Sequence, residues 1–159
     1  MLEQIISGGQ TGVDQAALDV ALDLGIPCGG WCPRGRWSEA GPIDEHYPLT
    51  ESPSADPAER NERNVRDADG TLIIARGGIE NLTGGTALTR RLADEQGRPM
   101  LAVDPTDPAA AETVTRWLER HEIRSLNVAG PRASSQPGIG DLTAALLREV
   151  LAHTIPPHD

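Results

Sequence analysis

Short apolar runs alternate along the chain with longer stretches in which apolar residues recur every three or four positions. The short runs are typical of strands, and the longer periodic stretches are typical of amphipathic helices. Gly25 ends the first helical stretch, and Pro108 begins the fourth. The pattern predicts strands at about 5–7, 26–28, 71–75, 100–103 and 124–128. It predicts helices at about 13–24, 58–66, 83–96, 108–121 and 139–153.

Strict alternation of strands and helices predicts parallel strands joined by right-handed crossovers, with helices on both faces of the sheet. The expected fold is therefore α/β, a Rossmann-like three-layer α/β/α sandwich with a mainly parallel central sheet. We expect one domain over residues 1–155 and a short C-terminal tail over residues 156–159. In such sheets, ligands bind outside the carboxyl ends of the strands, where the strand order reverses. The loops that follow those ends form the predicted site.

Two of these strand ends run into glycine-rich turns that precede helices. A helix N-terminus carries unpaired N–H groups and a partial positive charge, and glycine lets the backbone approach an anion closely. The sequence therefore predicts two open helix N-termini that face one anionic ligand. An alternative stays open, in which the first turn only packs helix against sheet and the two threonines of the second only cap their helix. The predicted ligand-binding residues of the two turns are Gly8, Gly9, Gln10, Thr11, Gly12, Asp14, Thr83, Gly84, Gly85 and Thr86.

Every basic residue of the chain is an arginine, and 14 arginines against 24 acidic residues give a formal net charge of −10. An acidic surface repels the phosphate backbone, so no nucleic-acid partner is expected. The absence of lysine also excludes a Walker A loop. Arg36 lies in a segment without acids between Cys28 and Ser38. Arg60 and Asn64 lie one turn apart on a helix, where both can reach one ligand. These three residues complete the predicted binding set.

The remaining residues predict no membrane span and no metal site. No apolar run approaches the roughly 20 residues of a membrane span, and the first residues lack the basic start of a signal peptide, so we expect a cytoplasmic protein without a membrane partner. Cys28 and Cys32 are interpreted as small buried apolar residues, and the histidines have no metal-ligand spacing, so no metal site is predicted. Trp31 and Trp37 fit either stacking on a planar ligand or burial in a subunit interface.

Several collinear motifs resemble one protein family. They are Ser7–Asp14, Gly30–Arg36, Tyr47–Leu49, Arg63–Ile73 and Gly84–Thr89. Over roughly residues 4–150 the chain is similar to the putative molybdenum carrier family, also called molybdenum cofactor carrier-like. That family belongs to a Rossmann-like superfamily that also contains the lysine-decarboxylase-like phosphoribohydrolases. The resemblance implies a homo-oligomer that binds or carries the molybdenum cofactor, a pterin that bears a phosphate and an anionic dithiolene-bound oxo-metal.

The chain also departs from these relatives. The family usually has Glu-Asp-Gly where this chain has Glu39-Ala40-Gly41, and Arg-Thr where it has Arg60-Asn61. The phosphoribohydrolases carry a catalytic glutamate at the place of Thr89, and residues 83–93 contain no acid. Binding therefore ranks above catalysis, and no catalytic residue is assigned. A hydrolase of a nucleotide-derived ligand and an oligomeric interaction protein without a ligand stay open as alternatives.

Overall fold

The structure is a computed structural model that describes residues 2–154, so the predicted tail at 156–159 lies outside the described residues. The described part of the chain forms the strands β1 (Gln4–Ile6), β2 (Cys28–Gly29), β3 (Trp31–Cys32), β4 (Trp37–Ser38), β5 (Gly41–Pro42), β6 (Thr50–Glu51), β7 (Gly70–Ile74), β8 (Met100–Val103) and β9 (Ser125–Ala129). Its helices are α1 (Val13–Leu24), α2 (Pro57–Asp67), α3 (Gly84–Glu95), α4 (Ala110–Arg120) and α5 (Ile139–Thr154), with a 3-10 turn at Gly78–Asn81. Within residues 2–154, every helix is too short or too polar to span a membrane.

Five strands form the central sheet, in the order β2-β1-β9-β7-β8, and every neighbouring pair is parallel. The last strand of the chain therefore lies at the centre of the sheet. If the chain is read cyclically from β7, the order becomes 2-1-3-4-5, which is the order of flavodoxin-like sheets. The predicted fold class is confirmed, and the five predicted strands are the five strands of this sheet.

The two faces of the sheet differ in polarity. α1, α4 and α5 pack together on one face, and α2 and α3 pack together on the other. The hydrophobic core lies under the first group, where Leu72 and Val128 are fully buried. Side chains alternate along a strand, so Thr71 and Asn127 face α2 and α3 instead. They are buried and hydrogen-bonded to each other, and the α2–α3 layer thus rests partly on polar groups.

Residues 31–57 hold five of the 13 prolines and form a long loop with short strands. Within it, β3 pairs with β6 in parallel, and β4 pairs with β5 antiparallel. Arg36 holds the loop together, because its guanidinium donates hydrogen bonds to four backbone carbonyls. These are the carbonyls of Ile43, Asp44, Tyr47 and Leu49.

Candidate functional site

A cavity of about 470 Å³ lies at the carboxyl ends of β1 and β9, against α2 and the start of α3. Its volume is in the range of small-molecule sites. The strand order reverses between β7 and β9, so the cavity lies at the switch point where such sheets bind ligands. The charged residues that line it are Asp14, Arg60 and Arg132. The predicted binding residues that line it are Gly8, Gln10, Asp14, Arg60, Asn64, Thr83, Gly84, Gly85 and Thr86.

A buried ion pair joins two walls of the cavity. Asp14 lies in the first turn of α1, Arg60 lies on α2, and Arg60 Nη1 donates to Asp14 Oδ2 at 3.1 Å. The side chains of Arg60 and Asp14 are only 11% and 6% exposed. A Cβ at position 8 would collide with the Arg60 guanidinium. Gly8 therefore makes room for the ion pair.

Burial dominates the electrostatics of this pair. Loss of solvent raises the pKa of the Asp14 carboxyl, and the charge and hydrogen bond of Arg60 lower it by less. Arg60 Nε is buried and has no hydrogen-bond partner among the described residues. The guanidinium thus keeps one buried donor without a partner. A buried carboxyl with a shifted pKa beside a cation in a cavity is typical of functional sites.

Two of the first three N–H groups of α1 are bonded within the protein, so this helix end is less open than the sequence predicts. Val13 N–H donates to the Pro131 carbonyl, and Gln15 N–H donates to the Gln10 carbonyl. The Asp14 carboxylate accepts the Gln10 N–H at 3.2 Å. The Asp14 carboxylate therefore takes up one N–H group of the glycine-rich turn that the sequence assigns to the ligand anion.

The N-terminus of α3 opens into the cavity. Thr83 stands at the N-cap position, but its side chain makes no capping hydrogen bond. Gly84 and Gly85 line the cavity, and so does Thr86, which is only 7% exposed. The Thr86 hydroxyl makes no hydrogen bond to any residue that the structure describes. Uncapped helix N–H groups and a hydroxyl therefore face the same space.

Gln10 adds a side-chain donor to this space. Its Oε1 accepts the N–H groups of Thr11 and Glu39, each at 3.0 Å, and these bonds fix which amide atom is the oxygen. Its Nε2 has no partner within residues 2–154. The side chain is 7% exposed and lines the cavity. The Gln10 amide N–H groups are therefore available to a ligand.

The structure places the predicted ligand residues Gly9 and Arg36 outside the cavity lining. Gly9 has a left-handed φ of 83°, and a Cβ there would collide with the Leu49 side chain of the long loop. Arg36 uses its donors on the carbonyls of the same loop. Both residues fix the loop over the first turn.

The loop after β9 is one of the loops predicted to form the site, and it supplies a cavity wall whose individual residues the sequence does not single out. They are Gly130, Pro131, Arg132, Ser134, Ser135 and Gln136. Thr11 Oγ1 accepts the Ala133 N–H at 3.1 Å, and Glu39 Oε1 accepts the Ser134 N–H at 3.2 Å. Gly12 has no room for a Cβ against the backbone of this wall. Thr11 and Gly12, both predicted as ligand residues, thus hold the wall without lining the cavity.

Asn127 is a further lining residue that sequence reasoning missed. It is 3% exposed, and its Nδ2 donates to Thr71 Oγ1 at 3.3 Å. Its signal in the sequence is one amide inside the apolar run Leu126-Asn127-Val128. Asn61, Leu82 and Thr89 also line the cavity.

Asn64 reaches the cavity edge, but its amide is engaged elsewhere. Its Oδ1 accepts the Trp31 N–H at 2.7 Å, and its Nδ2 donates to the Trp31 carbonyl at 3.0 Å. The Trp31 ring lies 4.7 Å from the Arg63 guanidinium and donates its indole N–H to Asp67.

Neither Trp31 nor Trp37 lines the cavity, which contradicts stacking on a ligand held there. Among the described residues, no His, Cys, Asp and Glu side chains group as a metal site.

Comparison with known proteins gives a family. The family model described as "Circularly permutated YpsA SLOG family" matches residues 5–151. The chain belongs to the circularly permuted YpsA SLOG family. The sheet of this YpsA SLOG chain agrees with a permutation, because its last strand lies between β1 and β7.

A crystal structure at 1.45 Å resolution is similar to this YpsA SLOG chain. It is of a protein from Syntrophus aciditrophicus SB described as "Putative molybdenum carrier protein". The two chains are 45% identical, with 94% of this chain and 95% of that chain covered and a TM-score of 0.89. The family resemblance drawn from the motifs is thus confirmed. No curated protein matches the chain.

Proposed function

We propose that this protein binds or carries an anionic, phosphate-bearing small molecule, first of all the molybdenum cofactor or a related molybdenum species. The observation that carries the proposal is the uncapped N-terminus of α3, which opens into the cavity beside the Arg60 guanidinium. Helix N–H groups, the helix dipole and a guanidinium each favour an oxoanion. The Gln10 amide and the Thr86 hydroxyl add donors of the same kind.

The likeness to the Syntrophus protein supports the molybdenum part of the proposal, because that protein is described as a molybdenum carrier. The charged residues of the lining support an anionic ligand, because two guanidinium groups and only one carboxylate line the cavity. From the sequence and the family resemblance, we also propose that residues 1–155 form one domain. On the same grounds, the protein is a cytoplasmic homo-oligomer.

One observation favours a second candidate, hydrolysis of a nucleotide-derived ligand. Asp14 is a buried carboxyl on the cavity wall, and burial raises its pKa, as in many general acids. Residues 83–93 contain no acid, so the glutamate of the phosphoribohydrolases has no counterpart there. In this candidate, Asp14 does the proton chemistry instead.

A thermal-shift screen with an activity assay on the same samples tests both candidates. The compounds are molybdenum cofactor, molybdate, inorganic phosphate, AMP and ADP-ribose. A ligand at 100 times its Kd stabilises the fold by about 2.7 kcal/mol. We expect stabilisation by phosphate-bearing compounds and no release of ribose 5-phosphate from AMP above a no-enzyme control. Stabilisation by none of them contradicts the binding proposal, and release that Asp14→Asn abolishes puts the hydrolase first.

A further inference from the structure

We propose that Asp14 determines which oxoanions bind in the cavity. Oxoanions that carry a proton, such as hydrogen phosphate, bind well. Oxoanions without a proton, such as sulfate and molybdate, bind poorly. This inference rests on the proposed function, because it concerns the same cavity. It goes further, because it names the residue by which the cavity separates hydrogen phosphate from sulfate and molybdate.

One oxygen of the Asp14 carboxylate has its donors and the other does not. Gln10 N–H and Arg60 Nη1 both donate to Oδ2. Ser7 lies close to the carboxylate, but its hydroxyl donates to the Val128 carbonyl at 2.8 Å. No hydrogen bond from a described residue reaches Oδ1, and Asp14 lines the cavity. A carboxylate oxygen without a donor beside the cavity favours a ligand that brings a proton.

The charges of the cavity also favour protonated oxoanions over unprotonated ones. An ionised carboxylate on the wall repels an anion strongly, because the surroundings are poorly solvated. A protonated oxoanion offsets part of that repulsion with a hydrogen bond to Oδ1, whereas sulfate and molybdate have no proton to offer. Rejecting a competitor with an unpaired like charge is a common source of binding specificity.

The selectivity also depends on pH. Burial raises the pKa of Asp14, so the carboxyl takes up a proton at less acidic pH than an exposed aspartate and then becomes a donor. Arg60 on α2 is the one charged group among the described residues that acts on this pKa. Arg132 lines the same cavity from the wall after β9, and no other ionisable side chain of the described residues does. Sulfate keeps its charge between pH 8 and pH 5. A rise in its affinity on acidification therefore comes from protonation of the protein and not of the anion.

Isothermal titration of the full chain with inorganic phosphate, sulfate and molybdate at pH 7.5 tests the proposal. We expect phosphate to bind at least about tenfold more tightly than either other anion, about 1.4 kcal/mol. Asp14→Asn removes the charge and supplies an amide, so it should raise the affinity for sulfate and molybdate at least about tenfold. Asp23→Asn is the matched control, because Asp23 lies on the same helix, pairs with Arg148 and is outside the cavity. It should keep the wild-type preference.

A second measurement needs only the wild-type chain, so it decides the matter even if Asp14→Asn does not fold. Sulfate affinity should rise as the pH is lowered from 8, because Asp14 takes up a proton as the pH falls. Equal affinity for phosphate and sulfate, a preference unchanged in Asp14→Asn, or a flat sulfate profile overturns the selectivity and leaves the anion site standing. If no anion binds the wild type or Asp14→Asn at any pH, the proposed function itself fails.

Discussion

At the scale of residues, the site depends on a carboxylate and a guanidinium that share one buried contact. Asp14 and Arg60 come from different helices, and each is almost removed from solvent. Breaking a buried pair by removing one partner costs about 3–5 kcal/mol, because a charge stays behind without compensation. Arg60 also retains a buried Nε without a partner among the described residues. Removing either partner therefore changes both the stability of the fold and the charge of the cavity.

Replacing Arg60 by lysine should weaken phosphate binding about tenfold or more, since hydrogen bonds to charged groups contribute about 1.5–3 kcal/mol. Lysine keeps the charge but loses the planar fork of donors. Arg63→Lys is the control, because Arg63 lies on the same helix, stacks on Trp31 and pairs with Glu59 outside the cavity. Isothermal titration with inorganic phosphate measures both variants. Equal affinity in Arg60→Lys and Arg63→Lys would remove Arg60 from the site.

Asp14 should also give the fold a pH dependence of unusual sign. Its pKa is raised on folding, so its contribution to stability is complete below the unfolded value and is lost as the pH rises through the folded pKa. The free energy of unfolding of wild type minus that of Asp14→Asn should thus fall above about pH 4, by up to about 1.4 kcal/mol per pH unit, and then level off. Urea unfolding at a series of pH values measures the difference. A difference that increases with pH would mean that Arg60 lowers the pKa of Asp14 by more than burial raises it.

At the scale of elements, the two glycine-rich turns look alike in sequence and differ in structure. The strands and helices follow from local periodicity, so the sequence predicts them well. The partial closure of α1 depends on the Pro131 carbonyl, which lies far along the chain, and no local pattern reveals it. The same holds for Gly9 and Arg36, whose partners are in the long loop. Turn chemistry alone therefore indicates an anion site but not which turn provides it.

The open end of α3 gives a prediction in which stability and affinity change in opposite directions. Gly85 lies in the first turn, and a Cβ there has room, with Asn61 Nδ2 nearest at 3.6 Å. Gly85→Asp should stabilise the fold by about 0.3–1 kcal/mol relative to Gly85→Asn, because an acid suits a helix N-terminus. The same carboxylate should reduce phosphate affinity at least about tenfold relative to Gly85→Asn. Thermal melts and titrations of the two variants measure this, and unchanged affinity in Gly85→Asp would separate α3 from the anion site.

At the scale of the whole molecule, the cyclic shift of strand order brings the chain's last strand into the centre of the site. The wall after β9 closes the cavity from a segment near the end of the chain, against turns near its start and middle. Alternating strands and helices predict the layers and place the loop after β9 at the edge of the sheet that binds ligands. They do not fix strand order, so neither Asn127 nor the individual residues of the wall could be named from the sequence. The polar face of the sheet under α2 and α3 supplies Asn127 to the same cavity. A ligand there would contact groups from three parts of the chain.

The start of α3 is the proposed contact point of the anion. Titration of ¹⁵N-labelled protein with inorganic phosphate, followed by amide chemical shifts, locates binding directly. We expect the largest shifts at the Gly85 and Thr86 amides, and little change at Ala110 and Ala111, which begin α4 outside the cavity. Gly85 and Thr86 amides that stay unmoved at saturating phosphate, or the largest shifts elsewhere on the molecule, would contradict the account.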